Sequence, residues 1–240
     1  MKNETFIECL YPNKCAGCGE TIPGDKTLCD YCAVFINNLD YKNICTKCGL
    51  KKDFCRCKYK EYHFMGVVGV YKNEGIARKA YYSYKFGRRE ELAKFFAKKT
   101  ADIVKRFYGN IKFDALVSVP TGFRSRFKRG FDHDRLVAVR LAEILNIKYA
   151  NDVLKSRLFR PLQHNSSLKL RLENVRGKYY TVKRLNADRV LLFDDIYTSG
   201  ATLDECAKEL LFAGVKEVFC VCVLTTNPKK KPDGDKKNGN

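Results

Sequence analysis

The chain has no tryptophan among its 240 residues, so its aromatic content rests on 14 Tyr and 16 Phe. No apolar run approaches the roughly 20 residues that a membrane span requires. Residues 1–14 lack the apolar stretch of a secretion signal. These absences exclude membrane insertion and make a cytoplasmic location the expectation. Acidic side chains are also scarce: 27 Asp and Glu face 46 Lys and Arg, for a formal charge of +19. That imbalance points to a polyanionic partner or to phosphorylated ligands, against the plainer reading of a lysine-coated surface. The scarcity is sharpest between Arg78 and Arg129. Residues 227–240 offer no side chain to bury and are expected to be a disordered basic tail.

What is present fits a globular protein, with 45% hydrophobic and 12% aromatic residues and room for one ordinary core plus an appendage. Twelve cysteines occur without an export signal, which argues against disulfides and leaves their spacing to decide. Cys15 and Cys18 form one C-x-x-C knuckle and Cys29 and Cys32 a second. Two such turns close a tetrahedral zinc site. Cys45 and Cys48 repeat the pattern, answered by the shorter Cys55-Arg56-Cys57. The expectation is two zinc ribbons in tandem, structural because a shell of four thiolates leaves no open position. Cys220 and Cys222 fall on one face of an apolar strand and read as packing.

Beyond Cys57 the composition changes, which places a domain boundary near residue 60. Residues 64–71 read as a strand, and residues 75–84 and 90–107 as helices, the second with Leu92, Phe95, Phe96 and Ile103 on one side and lysines on the other. Tyr84, Lys85, Phe86, Gly87, Arg88 and Arg89 between them read as a basic turn. Ala115, Leu116, Val117, Ser118 and Val119 form a second buried strand ending at Pro120. Thr121 then opens a loop carrying Arg124, Arg126 and Arg129, whose guanidinium groups suit a phosphate fork, the alternative being a solvated basic loop. His133 reads as a helix-capping or surface residue rather than a general base. A helix follows through Leu136, Val139, Leu141, Ile144 and Leu145, with Asn146 as its stop. Residues 152–180 read as a connecting helix or a cover over a site.

Residues 190–202 organise the rest. Val190, Leu191, Leu192 and Phe193 suit a strand buried on both faces of a parallel sheet. Asp194 and Asp195 follow, then Ile196, Tyr197 and the small polar run Thr198, Ser199, Gly200, Ala201 and Thr202. Leu203, Ala207, Leu210 and Leu211 recur at helical spacing up to Gly214, a residue suited to closing a helix. A loop entering a helix offers unpaired N–H groups to a phosphate, and paired carboxylates accept hydrogen bonds from a neutral diol. A phosphorylated sugar satisfies both halves. The plainer reading is a strand ending in an Asp N-cap.

This stretch resembles the phosphoribosyl pyrophosphate (PRPP) motif of type I phosphoribosyltransferases. The resemblance implies that Asp194 and Asp195 hold the ribose hydroxyls and that Thr198, Ser199, Gly200, Ala201 and Thr202 cradle the 5′-phosphate. Pro120, Thr121, Arg124, Arg126 and Arg129 would line the pyrophosphate loop, with Mg²⁺ accompanying PRPP. The cysteine knuckles, Arg129-Gly130-Phe131, the stretch with Arg171, Asn174 and Val175, and Asp194-Asp195-Ile196-Tyr197-Thr198 together resemble the ComF (ComFC) family. Asp132-His133 stands where that family usually shows Asn-Gln. The family implies an α/β architecture: a double zinc ribbon over residues 1–60, a phosphoribosyltransferase-like parallel sheet flanked by helices over 61–226, and the tail. It implies a competence factor that helps single-stranded DNA into the cell during natural transformation, with a competence helicase as a partner. An active phosphoribosyltransferase working on a nucleobase or a related acceptor is the second reading.

Overall fold

A computed structural model describes residues 12–55, 57–87, 89–121, 132–157 and 177–226. The loop bearing Arg124, Arg126 and Arg129, the stretch with Arg171, Asn174 and Val175, and the expected tail lie outside the described residues. In chain order the elements are α1 (Asp30–Phe35), β1 (Gly66–Lys72), α2 (Gly75–Phe86), α3 (Leu92–Tyr108), β2 (Ala115–Ser118), α4 (His133–Leu145), β3 (Lys148–Tyr149), β4 (Leu154–Ser156), β5 (Tyr179–Thr181), β6 (Arg189–Tyr197), α5 (Ala201–Phe212) and β7 (Glu217–Thr225). Five strands form a parallel sheet in the order β1-β7-β6-β2-β3. β4 and β5 pair antiparallel beside it.

The expected parallel sheet flanked by helices is therefore observed. β6 lies at its centre, and Val190, Leu191, Leu192 and Phe193 have no exposed surface because helices cover both faces. Alternation along the strand sends Leu191 and Phe193 to one face, where α2, α3, α4 and the first cysteine ribbon pack. Val190 and Leu192 face the other side, against α5, the β4–β5 pair and the second ribbon. Helix α3 buries Leu92, Phe96, Thr100 and Val104 in one stripe, and Asn146 ends α4 in the left-handed region at φ 53°.

Three differences from the sequence expectations have physical reasons. Tyr84, Lys85 and Phe86 belong to the last turn of α2 rather than to a basic turn, because the buried stripe Ala77, Ala80, Tyr81 and Tyr84 carries the helix on to Gly87. β6 does not stop at Phe193: β7 continues to pair with it through Asp194 and Tyr197. β3, β4 and β5 are only two or three residues long, too short for a period of two to show in sequence.

Candidate functional site

The chain runs from β6 to α5 and on to its neighbour β7, while β2 leads through α4 to β3 on the opposite side. The connections thus diverge between β6 and β2, and a crevice outside the carboxyl ends of those strands is where open α/β sheets hold ligands. Asp194, Asp195 and the loop to α5 come from β6, and Pro120 and Thr121 from the end of β2. A cavity of about 400 Å³ opens beside β2 and is lined by Ser118, Pro120, Thr121, Arg135, Tyr149 and Asn151, among others.

Because β6 continues through the acidic pair, its two carboxylates leave the strand toward opposite faces. Asp195 forms an ion pair with Lys85 of α2. Lys85 is 8% exposed and lies 3.8 Å from Asp134 Oδ1, so one buried ammonium group serves two carboxylates. Tyr81 donates to Asp134 Oδ1 over 3.4 Å, and Thr121 Oγ1 lies 3.0 Å from Asp134 Oδ2 and 2.9 Å from Asp132 Oδ1. A continuous polar chain therefore joins Asp195 to the first residue of the arginine-bearing loop. Asp194 is different. Burial, reinforced by the charge of Asp134 and only partly offset by Lys85 and Lys178, pushes its carboxyl up to about 8. The two carboxyls thus sit in different surroundings: Asp195 lies against the Lys85 cation, whereas the Asp194 carboxyl is held far above the usual carboxylate range.

Helix α5 begins at Ala201, so Ala201 and Thr202 form its first turn rather than part of the preceding loop. Its N-cap is Gly200 at φ 77°, which has no side chain to offer, and Ser199 Oγ accepts from Ala201 N over 3.4 Å, so the positive end of the helix is only lightly capped and attracts an anion. A Cβ at Gly200 would lie 2.8 Å from the Tyr197 hydroxyl oxygen. Tyr197 is buried, and its hydroxyl donates to the carbonyl of Cys48 in the second ribbon.

Lys85 and Asp134 were not among the candidates read from the sequence. The signal was there for Lys85, which falls four residues after Tyr81 on the buried stripe of α2. His133 is neither the cap, which is Asp132, nor a surface residue: it is 3% exposed and packs edge-on against Tyr84 with ring centroids 5.0 Å apart.

Two four-cysteine groups are assembled, Cys15, Cys18, Cys29 and Cys32 in one and Cys45, Cys48, Cys55 and Cys57 in the other, each with its sulfur atoms within 4.8 Å of one another. The Cys18–Cys29, Cys45–Cys57 and Cys48–Cys55 sulfurs are 3.9, 3.8 and 3.7 Å apart. A tetrahedron with Zn–S bonds of about 2.3 Å has edges of about 3.8 Å, so both groups suit zinc, and the shortened Cys55-Arg56-Cys57 knuckle closes its group as well as a C-x-x-C does. The two first knuckles repeat in backbone detail: Gly19 N donates to Cys15 O and Gly49 N to Cys45 O. Burial alone would raise the Cys15 thiol, but N–H groups of Cys29, Cys18 and Gly17 outweigh it and bring the thiol down to about 6. Cys45, likewise partly buried, is brought to about 7 by N–H groups of Cys48 and Lys47. Cys15 and Cys45 thus form thiolates readily, while Cys32 and Cys57 of the same groups are pushed up by burial and by the neighbouring thiols, so each group holds one thiolate-prone sulfur beside others that a bound cation would have to deprotonate.

Comparison with known proteins places this geometry in context. No protein-family model matches the chain. The DNA utilization protein YhgH of Escherichia coli is 26% identical over 213 residues, covering 87% of this chain and 89% of that protein. Its Salmonella typhi counterpart is 27% identical over 205 residues, 81% and 89% of the two chains. Competence protein F of Haemophilus influenzae is 30% identical over 108 residues, 44% of this chain and 47% of that one. The resemblance to the ComF family is borne out. Solved structures similar to this one include the Bacillus subtilis glutamine PRPP amidotransferase complexed with ADP and GMP, at TM-score 0.38 and 21% identity, covering 58% of this chain and 30% of that chain. The purine phosphoribosyltransferase of Pyrococcus horikoshii gives TM-score 0.34 and 17% identity, covering 60% of this chain and 93% of that one. None of the described helices is long and apolar enough to cross a membrane.

Proposed function

We propose that this protein is a ComFC-like competence factor: a cytoplasmic handler of single-stranded DNA in natural transformation, built around a site for PRPP or another phosphorylated ribose. The observation that carries the reading is a pair of aspartates near the carboxyl end of the central strand, followed after Ile196 and Tyr197 by a short loop of small residues into a helix whose N-cap is a glycine. Asp194 and Asp195 hold the ribose hydroxyls. The backbone and side chains of Thr198, Ser199, Gly200, Ala201 and Thr202 take the 5′-phosphate. Pro120, Thr121, Arg124, Arg126 and Arg129 form the pyrophosphate side. Bound Mg²⁺ would neutralise pyrophosphate charge there. The relatives named for DNA utilization and competence, together with the basic charge, support the DNA role. Residues 1–60 form the zinc-ribbon unit, 61–226 the sheet domain and 227–240 a basic extension, and a competence helicase is the expected partner.

Calorimetry with PRPP and Mg²⁺ tests the site. Binding to the wild type, weakened at least tenfold by Asp195→Asn, is the expected result, and absence of heat for PRPP and for ribose 5-phosphate alike removes the reading. A second reading, an active phosphoribosyltransferase, is favoured by the cavity beside Thr121, which has room for an acceptor. In that case the site would stabilise positive charge developing at ribose C1 as pyrophosphate leaves. Pyrophosphate release with a panel of nucleobases separates the two readings.

A further inference from the structure

The segment that leaves the second ribbon carries Lys58, Tyr59, Lys60 and Tyr62 in alternation. Tyr59 is 84% exposed, Lys60 Nζ lies 4.4 Å from the centre of the Tyr62 ring, and Tyr62 stacks on Phe64 with centroids 4.8 Å apart. This segment is fastened to the first turn of α5. Asp204 Oδ2 lies 3.2 Å from Lys60 Nζ, and Asp204 Oδ1 accepts from the His63 backbone N–H over 2.8 Å and lies 3.1 Å from His63 Nδ1.

The next residue of the same helical turn fastens the other flank. Glu205 Oε1 accepts from Gly177 N over 2.7 Å, at the foot of β5. Lys178 stands just before β5, β5 brings Tyr180, and its partner strand leads to Arg157, whose guanidinium lies 5.1 Å from the centre of the Tyr180 ring. Two basic and aromatic segments, far apart in sequence, thus meet at the helix turn that faces the proposed phosphate position. Residues 57–65, 155–157 and 177–181 contain Lys58, Lys60, Lys155, Arg157 and Lys178 against Glu61, and with Asp204, which pairs with Lys60, and Glu205 between them the joint surface still carries an excess of positive charge, complementary to a polyanion.

We propose that this face is a track for single-stranded DNA running past the mouth of the ribose-phosphate site, with Tyr59 and Tyr180 stacking on bases and Lys58, Arg157 and Lys178 on phosphates. An exposed ring standing among cations suits an unpaired strand, because a duplex keeps its base faces stacked on one another. The surface rests on the DNA-handling reading above and adds to it the path of the strand and its residues.

The test is fluorescence anisotropy with a labelled oligo-dT of about 30 nucleotides and the full zinc-loaded chain. Tyr59→Ala and Tyr180→Ala should each weaken binding about 5- to 150-fold, the range of one lost base stack. Lys58→Ala and Arg157→Ala should each reduce the slope of log affinity against log salt by about 0.7. Melting curves and zinc content equal to wild type establish that each variant is folded. Ribose 5-phosphate calorimetry on Tyr59→Ala should match wild type, which separates the track from the sugar site. Wild-type binding that all four variants retain overturns the track while leaving the DNA reading standing. No oligo-dT binding by the wild type overturns both, and tighter binding of a duplex of equal length overturns the track.

Discussion

Lys85 carries a positive charge into a place where water is scarce, and an unpaired charge there would be prohibitively costly. Asp195 and Asp134 make its position tolerable. Replacing it by methionine would leave a partly buried carboxylate without its cation, at a cost of about 3–5 kcal/mol. Lys85→Met should therefore lower the midpoint of urea unfolding substantially, and Lys85→Met with Asp195→Asn should recover part of the loss. A double-mutant cycle with no coupling would show that the pair does not act as one. Asp194 makes the complementary prediction. Its carboxyl is raised from 3.8 to about 8 in the folded chain, so between those values the folded protein holds a proton that the unfolded chain has released. Stability from this group is complete below about pH 4, falls as pH rises through that window, and is gone above about pH 8. Asp194→Asn should melt higher than wild type at about pH 9, by on the order of 5 °C, with the gap closing toward pH 4. A gap independent of pH would assign the titration elsewhere. The acidic pair itself was legible in the sequence from its place after an apolar run. That its members meet different surroundings was not, because Asp134 and Lys85 reach them from other helices.

At the scale of elements, the strand, loop and helix from β6 to α5 are braced by the second ribbon. Tyr197, just before the loop, donates to the Cys48 carbonyl, and Asp204, just after it, receives His63 and Lys60. The loop is thus held at both ends by residues near a four-cysteine group. Tyr197→Phe removes the buried hydrogen bond to Cys48 and should cost about 1 kcal/mol of stability, read as a lower midpoint of urea unfolding. Gly200→Ala meets both a positive φ and the Tyr197 ring, so it should weaken ribose 5-phosphate binding about tenfold or more while the far-ultraviolet circular dichroism stays native. Unchanged affinity would mean that the loop can be rebuilt without the glycine. The strand-loop-helix order and its small residues could be read from the chain, since each follows from local pattern and turn chemistry. The brace could not, because Cys48 and Tyr197 are distant in sequence and neither bears a mark of the other.

Across the whole molecule, the cysteine ribbons are part of the core rather than attachments to it. Cys15 and Cys32 are buried with Ala77, Ala80 and Tyr81 on one face of the sheet. Cys48 and Leu50 are buried with Phe64, Val67 and Leu192 on the other. Stripping metal with a strong chelator should therefore lower the melting temperature of the entire chain in one transition, by more than about 10 °C, because ligand binding to the four thiolates is part of the folding free energy. Two separate transitions, with the sheet unaffected, would show the ribbons to be independent. Residue type and short-range order were enough to specify the four-cysteine spacings, the buried central strand, the acidic pair and the glycine ahead of α5. It took the folded arrangement to bring Lys85 into the site, to turn Asp194 and Asp195 opposite ways, and to lay one ribbon over each face of the sheet. Those facts arise from strand order and from contacts between segments far apart in the chain, where burial and charge depend on which neighbours the fold supplies.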